Sequence, residues 1–238
     1  MDITTRPATP EDVGFLARIM ERSMLPAQGA GLFDDLAASI ELDRLSFHEA
    51  ILLAGANNWG QLSNFIVVEC DGELAAATSA HRSNMPDVRP ITATQLMLVS
   101  KYLNLPQDQS KRLLQTSIMK FGAFGDTPHF RDPAEYVVEY AAVMPAFAGM
   151  QLSRYLFGAH IKRALDLGCQ TLGTRALVGN DSALNAWQRL GLRYHSTVSA
   201  EQAGVKSIGI QRLVLDLTDL PEGYVPGEPL QSRPADRP

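Results

Sequence analysis

The segment YVVEYAAVM, residues 136–144, limits the possible folds more than any other part of the chain. Every residue in it except Glu139 is apolar, and Pro133 and Pro145 bound it. A short apolar run between turn residues is typical of a strand that is buried on both faces. The segment therefore predicts a central strand in an α/β (α+β) domain, with a layer of structure on each side of the sheet.

The helix predicted after this strand, ending near Leu167, fits the same architecture. Its apolar residues fall into two stripes, one of Leu152, Leu156 and Ala159 and one of Met150, Phe157, Ile161, Ala164 and Leu165. A helix that is apolar on two sides is typically packed between layers. We therefore expect this helix to contact more than one part of the core.

The other elements alternate between strand and helix along the chain. Apolar and β-branched runs predict strands at residues 3–6, 64–70, 73–81, 171–178, 193–198 and 206–217. Capping residues and helical periodicity predict helices that start at Thr9, near residues 33 and 93, and at Asn180. The final two strands are expected to be antiparallel neighbours. The last of them is expected to be an edge strand, which could pair with a second copy of the chain in a homodimer.

The chain is long for one domain and short for two. We expect a single domain over residues 1–220, with helical inserts at about 26–60 and 92–133. The last 18 residues, from Pro221, contain five prolines and two glycines. Such a composition is unsuited to a packed core, so an extended or disordered tail is expected over 221–238.

Composition and charge exclude several classes of protein. A net charge of −5 argues against a nucleic-acid backbone binder, which requires a basic surface. No apolar run reaches the roughly 18 residues that span a membrane, and the N-terminal residues MDITTRPATPEDV lack the pattern of a secretory signal. Cys70 and Cys169, the only cysteines, have apolar neighbours, which predicts buried thiols, no zinc site and a reducing, cytoplasmic compartment.

The junction between the central strand and the following helix, residues 143–157, is a candidate anion site. The first turn of a helix has backbone N–H groups without partners and the positive end of the helix dipole. Small residues let a ligand approach this backbone; they are Ala146, Ala148, Gly149 and Ser153. A junction of this kind also occurs as plain architecture, so the residues alone leave both interpretations open.

The order of the elements, together with three stretches of sequence, resembles the GNAT superfamily of N-acetyltransferases. The stretches are ITTRPATPEDVGFLARIM at the start, VMPAFAGMQLSRYLF at the junction, and NDSALNAWQRLGL at residues 180–192. The resemblance implies one domain with a mixed, mostly antiparallel sheet, splayed central strands and helices on both faces. It also implies that acetyl-CoA is the co-substrate and that no metal is needed.

The resemblance also implies which residues bind the co-substrate. Positions of the family's pyrophosphate loop are filled by Ala148, Gln151 and Ser153, with Gly149 between them. Backbone groups near Val143 and Met144 are expected to pair with the pantetheine arm. The full set of expected co-substrate residues is Val143, Met144, Ala148, Gly149, Met150, Gln151, Leu152, Ser153, Asn180 and Trp187.

Three positions depart from the family pattern. Ala148 replaces a basic or amide residue, and Gln151 replaces a glycine, where a side chain could crowd the pyrophosphate. Trp187 stands where the family often has a tyrosine that protonates the leaving thiolate, and an indole N–H is a donor but not an acid at neutral pH. Tyr194 is the candidate substitute acid, with an ordinary strand aromatic as the alternative.

Glu139 is the candidate general base. A carboxylate among apolar residues has its pKa raised by desolvation, which brings it toward the range where it can accept a proton from an ammonium. In a regular strand Glu139 would share a face with Val137, Ala141 and Val143. The alternative is a buried structural ion pair. Glu135 is the second candidate, and His81, at the end of the predicted hairpin strand, is the third, with a solvated or packed histidine as its alternative.

The resemblance implies an acyl-CoA-dependent N-acyltransferase in which a primary amine attacks acetyl-CoA directly. The alternative is a GNAT-like protein that binds CoA or acyl-CoA without transfer. A hydrolase with a GxSxG motif and a phosphate-loop nucleotide binder are both excluded by the absence of their motifs. The acceptor, a small molecule or a peptide amine, is expected to be selected by the two inserts, because they precede the co-substrate half of the fold.

Overall fold

One sheet runs through the molecule. The computed structural model describes residues 1–24, 31–122, 131–199 and 209–231. The strands of the described chain are β1 (Ile3–Pro7), β2 (Ile66–Cys70), β3 (Glu73–Arg82), β4 (Tyr136–Val143), β5 (Thr171–Leu177), β6 (Arg193–Val198) and β7 (Ile210–Asp216). Their spatial order is β1-β2-β3-β4-β5-β7-β6. Neighbours are antiparallel except β4 and β5, which are parallel. The mixed, mostly antiparallel sheet is therefore confirmed.

β4 and β5 pair over only a short length. Tyr136–Val138 of β4 pairs with Leu172–Thr174 of β5, although β4 continues to Val143 and β5 to Leu177. Beyond Val138 the two strands have no ladder partners in each other. The sheet is thus splayed at its centre, as expected.

A bulge in β4 begins at the same place. Tyr140 has a left-handed backbone, with φ of 51°, and the pairing of β3 with β4 shifts register between Ala77 and Ser79. Thr78 Oγ1 donates a hydrogen bond to Glu139 O at 2.7 Å, which stabilises the irregular backbone. Because an extra residue reverses the alternation of side chains, the expectation that Glu139 shares a face with Ala141 and Val143 is wrong.

Helices cover both faces of the sheet. The described helices are α1 (Val13–Met24), α2 (Asp34–Ser39), α3 (Arg44–Leu53), α4 (Ala93–Tyr102), α5 (Gln107–Phe121), α6 (Ser153–Asp166) and α7 (Asp181–Arg189). Residues of α1 to α5 share one apolar cluster with Tyr140, whereas α6 and α7 pack on the other face. Among the described helices none is long and apolar enough to cross a membrane.

α6 uses its two apolar stripes as expected. Leu152 and Leu156 pack with residues of β2 and β3, whereas Phe157 and Ile161 pack with residues of β4, β5 and β7. Two members of the second stripe differ from the expectation: Leu165 is 37% exposed, and Met150 packs beside the cluster of Leu152 and Leu156. The helix therefore joins the two halves of the sheet on one face.

The inserts contain more breaks than the sequence suggests. The single helix expected from residue 33 to Leu53 is two helices, α2 and α3, because Glu41 is left-handed (φ 58°) and Asp43 caps α3 by accepting from Ser46 N at 3.0 Å. The insert expected at 92–133 contains α4 and α5. Parts of both inserts, residues 25–30 and 123–130, lie outside the described residues.

The strand expected at 206–217 is not an edge strand. Its described part, β7, lies between β5 and β6, and β6 forms the edge. The physical reason is that the chain reverses after β6 and inserts β7 between β6 and the rest of the sheet. Any pairing between copies at this end of the sheet would therefore involve β6.

The described part of the Pro-rich segment, residues 221–231, lies against α6 instead of extending away. Leu230 is 2% exposed and belongs to the apolar cluster of Phe157 and Trp187. Arg154 Nε donates to Leu230 O at 2.6 Å, and Leu230 N donates to Arg154 O at 3.2 Å. The proline-rich composition therefore did not indicate that Leu230 is buried or that its backbone is hydrogen-bonded to α6.

Gly158 of α6 leaves room for this segment because it has no side chain. A Cβ atom at Gly158 would lie 2.0 Å from Glu228 O, a backbone atom. We expect Gly158→Ala to displace residues 221–231 and to lower the free energy of unfolding by about 1–3 kcal/mol, the range for overpacking.

Hydrogen exchange at Leu230 N and chemical denaturation measure these two effects. Gly122→Ala, where a Cβ would meet nothing closer than Ile118 Cγ2 at 4.0 Å, is the matched control. Unchanged protection at Leu230 in Gly158→Ala would show that the contact does not hold the segment.

Candidate functional site

A buried ion pair marks the point where β4 and β5 separate. Glu139 follows the last residue of β4 that pairs with β5, and Arg175 follows the last residue of β5 that pairs with β4. Arg175 Nη1 lies 3.2 Å from Glu139 Oε1, and the two side chains are 11% and 12% exposed. The pair therefore bridges the two diverging strands.

Asp132 joins this pair from the loop before β4. Arg175 Nε donates to Asp132 Oδ1 at 3.2 Å, and Nη2 contacts Oδ2. Arg212 of β7, opposite Arg175 in the ladder, places Nε 3.6 Å from Asp132 Oδ1. Two carboxylates and two guanidinium groups thus lie together, which balances the charges that burial penalises.

Trp59 supports the cluster from the segment after α3. The Arg175 guanidinium lies 4.3 Å from the centre of the Trp59 ring. Trp59 itself is held by hydrogen bonds from its Nε1 to Val88 O and from Ser79 Oγ to its carbonyl oxygen. The aromatic face therefore orients the guanidinium by a cation–π contact.

Burial sets the protonation of the acidic groups. It raises the pKa of Glu139 to about 7, against the lowering effect of Arg175. Burial also acts to raise the pKa of Asp132, but Arg175 and Arg212 outweigh it and hold the pKa below its ordinary value. Near pH 7, Asp132 is therefore ionised, whereas Glu139 is present in both its protonated and its ionised form.

The second and third candidate bases have other roles in the structure. Glu135 Oε2 accepts a hydrogen bond from Gln170 N at 2.5 Å, before β5. His81 is 6% exposed and stacked on Trp59, and burial lowers its pKa to about 3. A histidine with this pKa is neutral near pH 7, and its Nδ1 has no hydrogen-bond partner among the described residues.

The start of α6 presents free backbone donors. In the described chain no hydrogen bond has the N–H of Gly149, Gln151, Leu152 or Ser153 as its donor. Gly149 and Gln151 both have left-handed backbones, with φ of 83° and 54°. Ala148 N and Met150 N close the preceding turn by donating to Pro145 O and Phe147 O. The open N–H groups at the helix start suit an anion.

The Gln151 side chain does not need to lie over this loop. Its Oε1 accepts a hydrogen bond from Arg154 Nη1 at 3.2 Å, one turn into α6. Leu152 is 1% exposed and packs in the core, so only its backbone is available to a ligand. A ligand at these N–H groups is therefore compatible with a glutamine side chain at position 151.

The two residues expected to pair with the pantetheine arm differ in what they offer. Met144 N donates to Ala75 O of β3 at 2.8 Å, so this N–H is engaged. Because alternate residues of an antiparallel strand turn to opposite edges, Val143 directs its backbone groups away from β3. Val143 O accepts from Arg22 Nε of α1 at 2.8 Å.

Asn180 and Trp187 both have structural contacts in the folded protein. Asn180 Oδ1 accepts from Ala183 N at 3.2 Å and caps α7. Trp187 is 7% exposed, and its ring centre lies 4.9 Å from that of Phe157. Its Nε1 is buried with no hydrogen-bond partner in the part of the chain described.

Tyr194 is not brought together with Glu139. It lies on the edge strand β6, separated from β4 by β7 and β5. Its side chain is 55% exposed, and its hydroxyl is 3.0 Å from Thr197 Oγ1. It lines a surface cavity of about 190 Å³ with Arg193 and Asp216. Its role as the acid stays a prediction.

The partners of Glu139 were not among the candidate residues predicted from the sequence. Arg175 is the one charge in TLGTRAL, and Arg212 is the one charge in IQRLVL. A charge buried in a strand requires an opposite charge nearby, so the pattern could have paired them with Glu139. Asp132 and Trp59 lie in irregular segments, where periodicity carries no signal. Among the described residues no cluster could hold a metal ion.

Comparison with known proteins places the fold. No protein-family model and no curated protein matches the chain. The crystal structure of an N-acetyltransferase from Staphylococcus aureus Mu50 matches with a TM-score of 0.56 and 13% identity, covering 89% of this chain and 100% of that one. Another acetyltransferase matches at 0.54 with 16% identity, covering 90% and 99%.

A third match is the Drosophila melanogaster polyamine N-acetyltransferase, which forms N-acetylagmatine. Its TM-score is 0.51, with 17% identity, and the match covers 90% of this chain and 100% of that one. Identities this low establish the fold alone. The chain has the GNAT fold, and the resemblance drawn from its sequence is confirmed at that level.

Replacing Glu139 with Gln should change the pH dependence of stability. The pKa of Glu139 is about 7 in the folded protein and about 4.3 in an unfolded chain. The stability that comes from the protonated carboxyl is therefore fully present below pH about 4 and is lost as the pH rises through about 7.

Chemical denaturation at several pH values between about 4 and 8 tests this. The free energy of unfolding should fall more steeply with pH in the wild type than in Glu139→Gln. Glu73→Gln, at an exposed position of β3, should behave like the wild type. Parallel curves for wild type and Glu139→Gln would contradict the expectation.

Proposed function

We propose that the protein is an acyl-CoA-dependent N-acyltransferase that transfers an acetyl group from acetyl-CoA to a primary amine. The observation that carries the proposal is a protonatable carboxylate, Glu139, at the point where β4 and β5 separate. The GNAT fold of the chain and the acetyltransferases that share it support the reaction class.

The start of α6 supports the binding of acetyl-CoA as co-substrate. The four N–H groups of Gly149, Gln151, Leu152 and Ser153 would bind the pyrophosphate, with the helix dipole aligned in the same sense. Val143 would offer its backbone to the pantetheine arm. The unpartnered Trp187 Nε1 would donate a hydrogen bond to the co-substrate.

The reaction needs no covalent enzyme intermediate. Glu139 accepts a proton from the ammonium of the acceptor, directly or through water, and so produces the nucleophilic amine. The amine nitrogen forms a bond to the thioester carbonyl carbon, and the bond from carbon to sulfur breaks. The thiolate then takes a proton from Tyr194, from another group or from water. Most of the rate gain would come from positioning.

The acceptor is proposed to be a small molecule or a peptide amine. The polyamine N-acetyltransferase with the same fold acts on a small amine, which is coarse support for a small acceptor here. Glu139, Arg175 and Trp59 lie on the face that α1 and α3 cover, and the inserts adjoin this face. The inserts are therefore proposed to select the acceptor.

The compartment is proposed to be the reducing cytoplasm. Cys70 and Cys169 are both free and buried. Burial raises the pKa of both thiols, which makes them poor nucleophiles.

A negative charge at the start of α6 should weaken the binding of acetyl-CoA. Ser153→Asp places a carboxylate beside the proposed pyrophosphate site, where it repels the phosphates but also favours the helix through its dipole. We expect the Kd measured by calorimetry to rise at least about tenfold, since like charges in close contact cost more than about 1.4 kcal/mol.

Ser110→Asp, in the first turn of α5, is the matched control because it changes the same residue type at another helix start. It should leave the Kd unchanged. Failure of the wild type to bind acetyl-CoA at high micromolar concentration would overturn the proposed function.

Glu139→Gln should lower turnover and leave the affinity for acetyl-CoA unchanged. In the wild type, kcat/KM should fall as the pH decreases through about 7, where the Glu139 carboxylate takes up a proton. Release of free thiol across an amine panel measures turnover. A profile for Glu139→Gln that keeps the wild-type acid limb would remove Glu139 as the base.

The competing function is binding of CoA or acyl-CoA without transfer. Trp187, in place of a residue that could protonate the thiolate, favours it. Acetyl-CoA would then stabilise the protein against heating, with no thiol released in the presence of any amine.

A further inference from the structure

Arg175 makes more contacts than charge balance requires. It hydrogen-bonds Asp132 through two nitrogens, lies over the Trp59 ring at 4.3 Å and approaches Glu139 Oε1 at 3.2 Å. A planar guanidinium that is held on one face and along two edges has a fixed plane and a fixed position. Arg175 is therefore a rigid group at the centre of the cluster.

Glu139, by contrast, has few contacts of its own. Oε1 is buried and accepts no hydrogen bond among the described residues, and its ion-pair distance of 3.2 Å is to Arg175 Nη1. The side chain retains 12% exposure, and Oε1 but not Oε2 is among the buried atoms that lack a hydrogen-bond partner in the described residues. The orientation of the carboxylate thus depends on Arg175.

We propose that Arg175 is a positioning residue for the acyl transfer: it holds Oε1 of Glu139 so that Oε2 accepts the proton of the amine, while Asp132 and Trp59 hold Arg175 in place. The inference rests on the proposed function and assigns a role to a strand residue that does not itself touch the reacting atoms. Removing Arg175 should leave the Glu139 carboxylate free to adopt other orientations and should also change its proton affinity.

The charges around Glu139 predict opposite effects for two substitutions. Arg175 of β5 and Arg212 of β7 favour the carboxylate, Asp132 of the loop before β4 disfavours it, and His81 of β3 is neutral near pH 7 because its pKa is about 3. Loss of the Arg175 charge therefore raises the pKa of Glu139. Loss of the Asp132 charge lowers it.

The pH dependence of kcat/KM tests this. In Arg175→Gln the acid limb should move up by about one pH unit, because an opposite charge within about 4–6 Å lowers a carboxyl pKa by 1–3 units. In Asp132→Asn it should move down. Lys162→Gln, on the exposed side of α6 and paired with Asp166, is the control and should leave the limb in place. An unmoved limb in Arg175→Gln overturns the inference.

A double-mutant cycle separates positioning from a structural role. Arg175→Gln should lower kcat by about 10²-fold, the effect of a catalytic group displaced by about 1 Å, but should have no further effect in the Glu139→Gln background. An equal loss in both backgrounds would show that Arg175 acts on the fold and would overturn the inference.

Arg175→Lys keeps the test decisive if Arg175→Gln does not fold. Lysine preserves the charge but lacks the planar fork, so kcat should fall while the acid limb stays near its wild-type pH. Wild-type kcat in Arg175→Lys would overturn the inference.

A titration by ¹³C NMR of the glutamate carboxyls distinguishes failure of this inference from failure of the proposed function. Glu139→Gln assigns the signal. A signal that titrates higher in Arg175→Gln than in the wild type supports the contact even if no amine is acetylated, and an unchanged signal removes it.

Discussion

Three residue pairs hold β4 beside β5, and the rest of the structure depends on how few they are. Where the pairing stops, the facing backbone groups of both strands have no partner in each other, and buried backbone groups need partners. The bulge at Tyr140 begins at the same point and turns the following residues over. The separation therefore interrupts the ladder at the centre of an otherwise continuous sheet, which is where the proposed co-substrate would enter.

The charged cluster follows from this separation. Removing an ion from water costs several kcal/mol unless an opposite charge lies close to it, and Glu139 lies where apolar strands diverge. Arg175, Asp132 and Arg212 supply the balance, and Trp59 covers the guanidinium. A site that needed only stability would be better filled with apolar side chains. The cost of keeping four charges there is consistent with the acid–base role that we propose for Glu139.

The sequence predicted the architecture better than it predicted the site. YVVEYAAVM predicted the central strand because it is a short apolar run, rich in valine and tyrosine and bounded by prolines, and the two stripes of α6 predicted its two-sided packing. Of the partners of Glu139, Arg175 and Arg212 are marked by their charge within strand segments, but Asp132 and Trp59 lie in irregular segments, where no periodicity marks them. The bulge was also hidden, since no glycine marks the left-handed residue, Tyr140. The contacts of Leu230 were concealed by the prolines around it.

The close approach of Glu228 O to Gly158 links two distant positions of the chain. A relative that keeps the segment over α6 must keep a residue without a side chain at the position of Gly158, whereas a relative that lacks the segment is free to place any helix-forming residue there. The two features should therefore be gained and lost together during divergence. Such a pair is a structural marker by which a branch of this fold can be recognised even where overall identity has fallen too low for alignment.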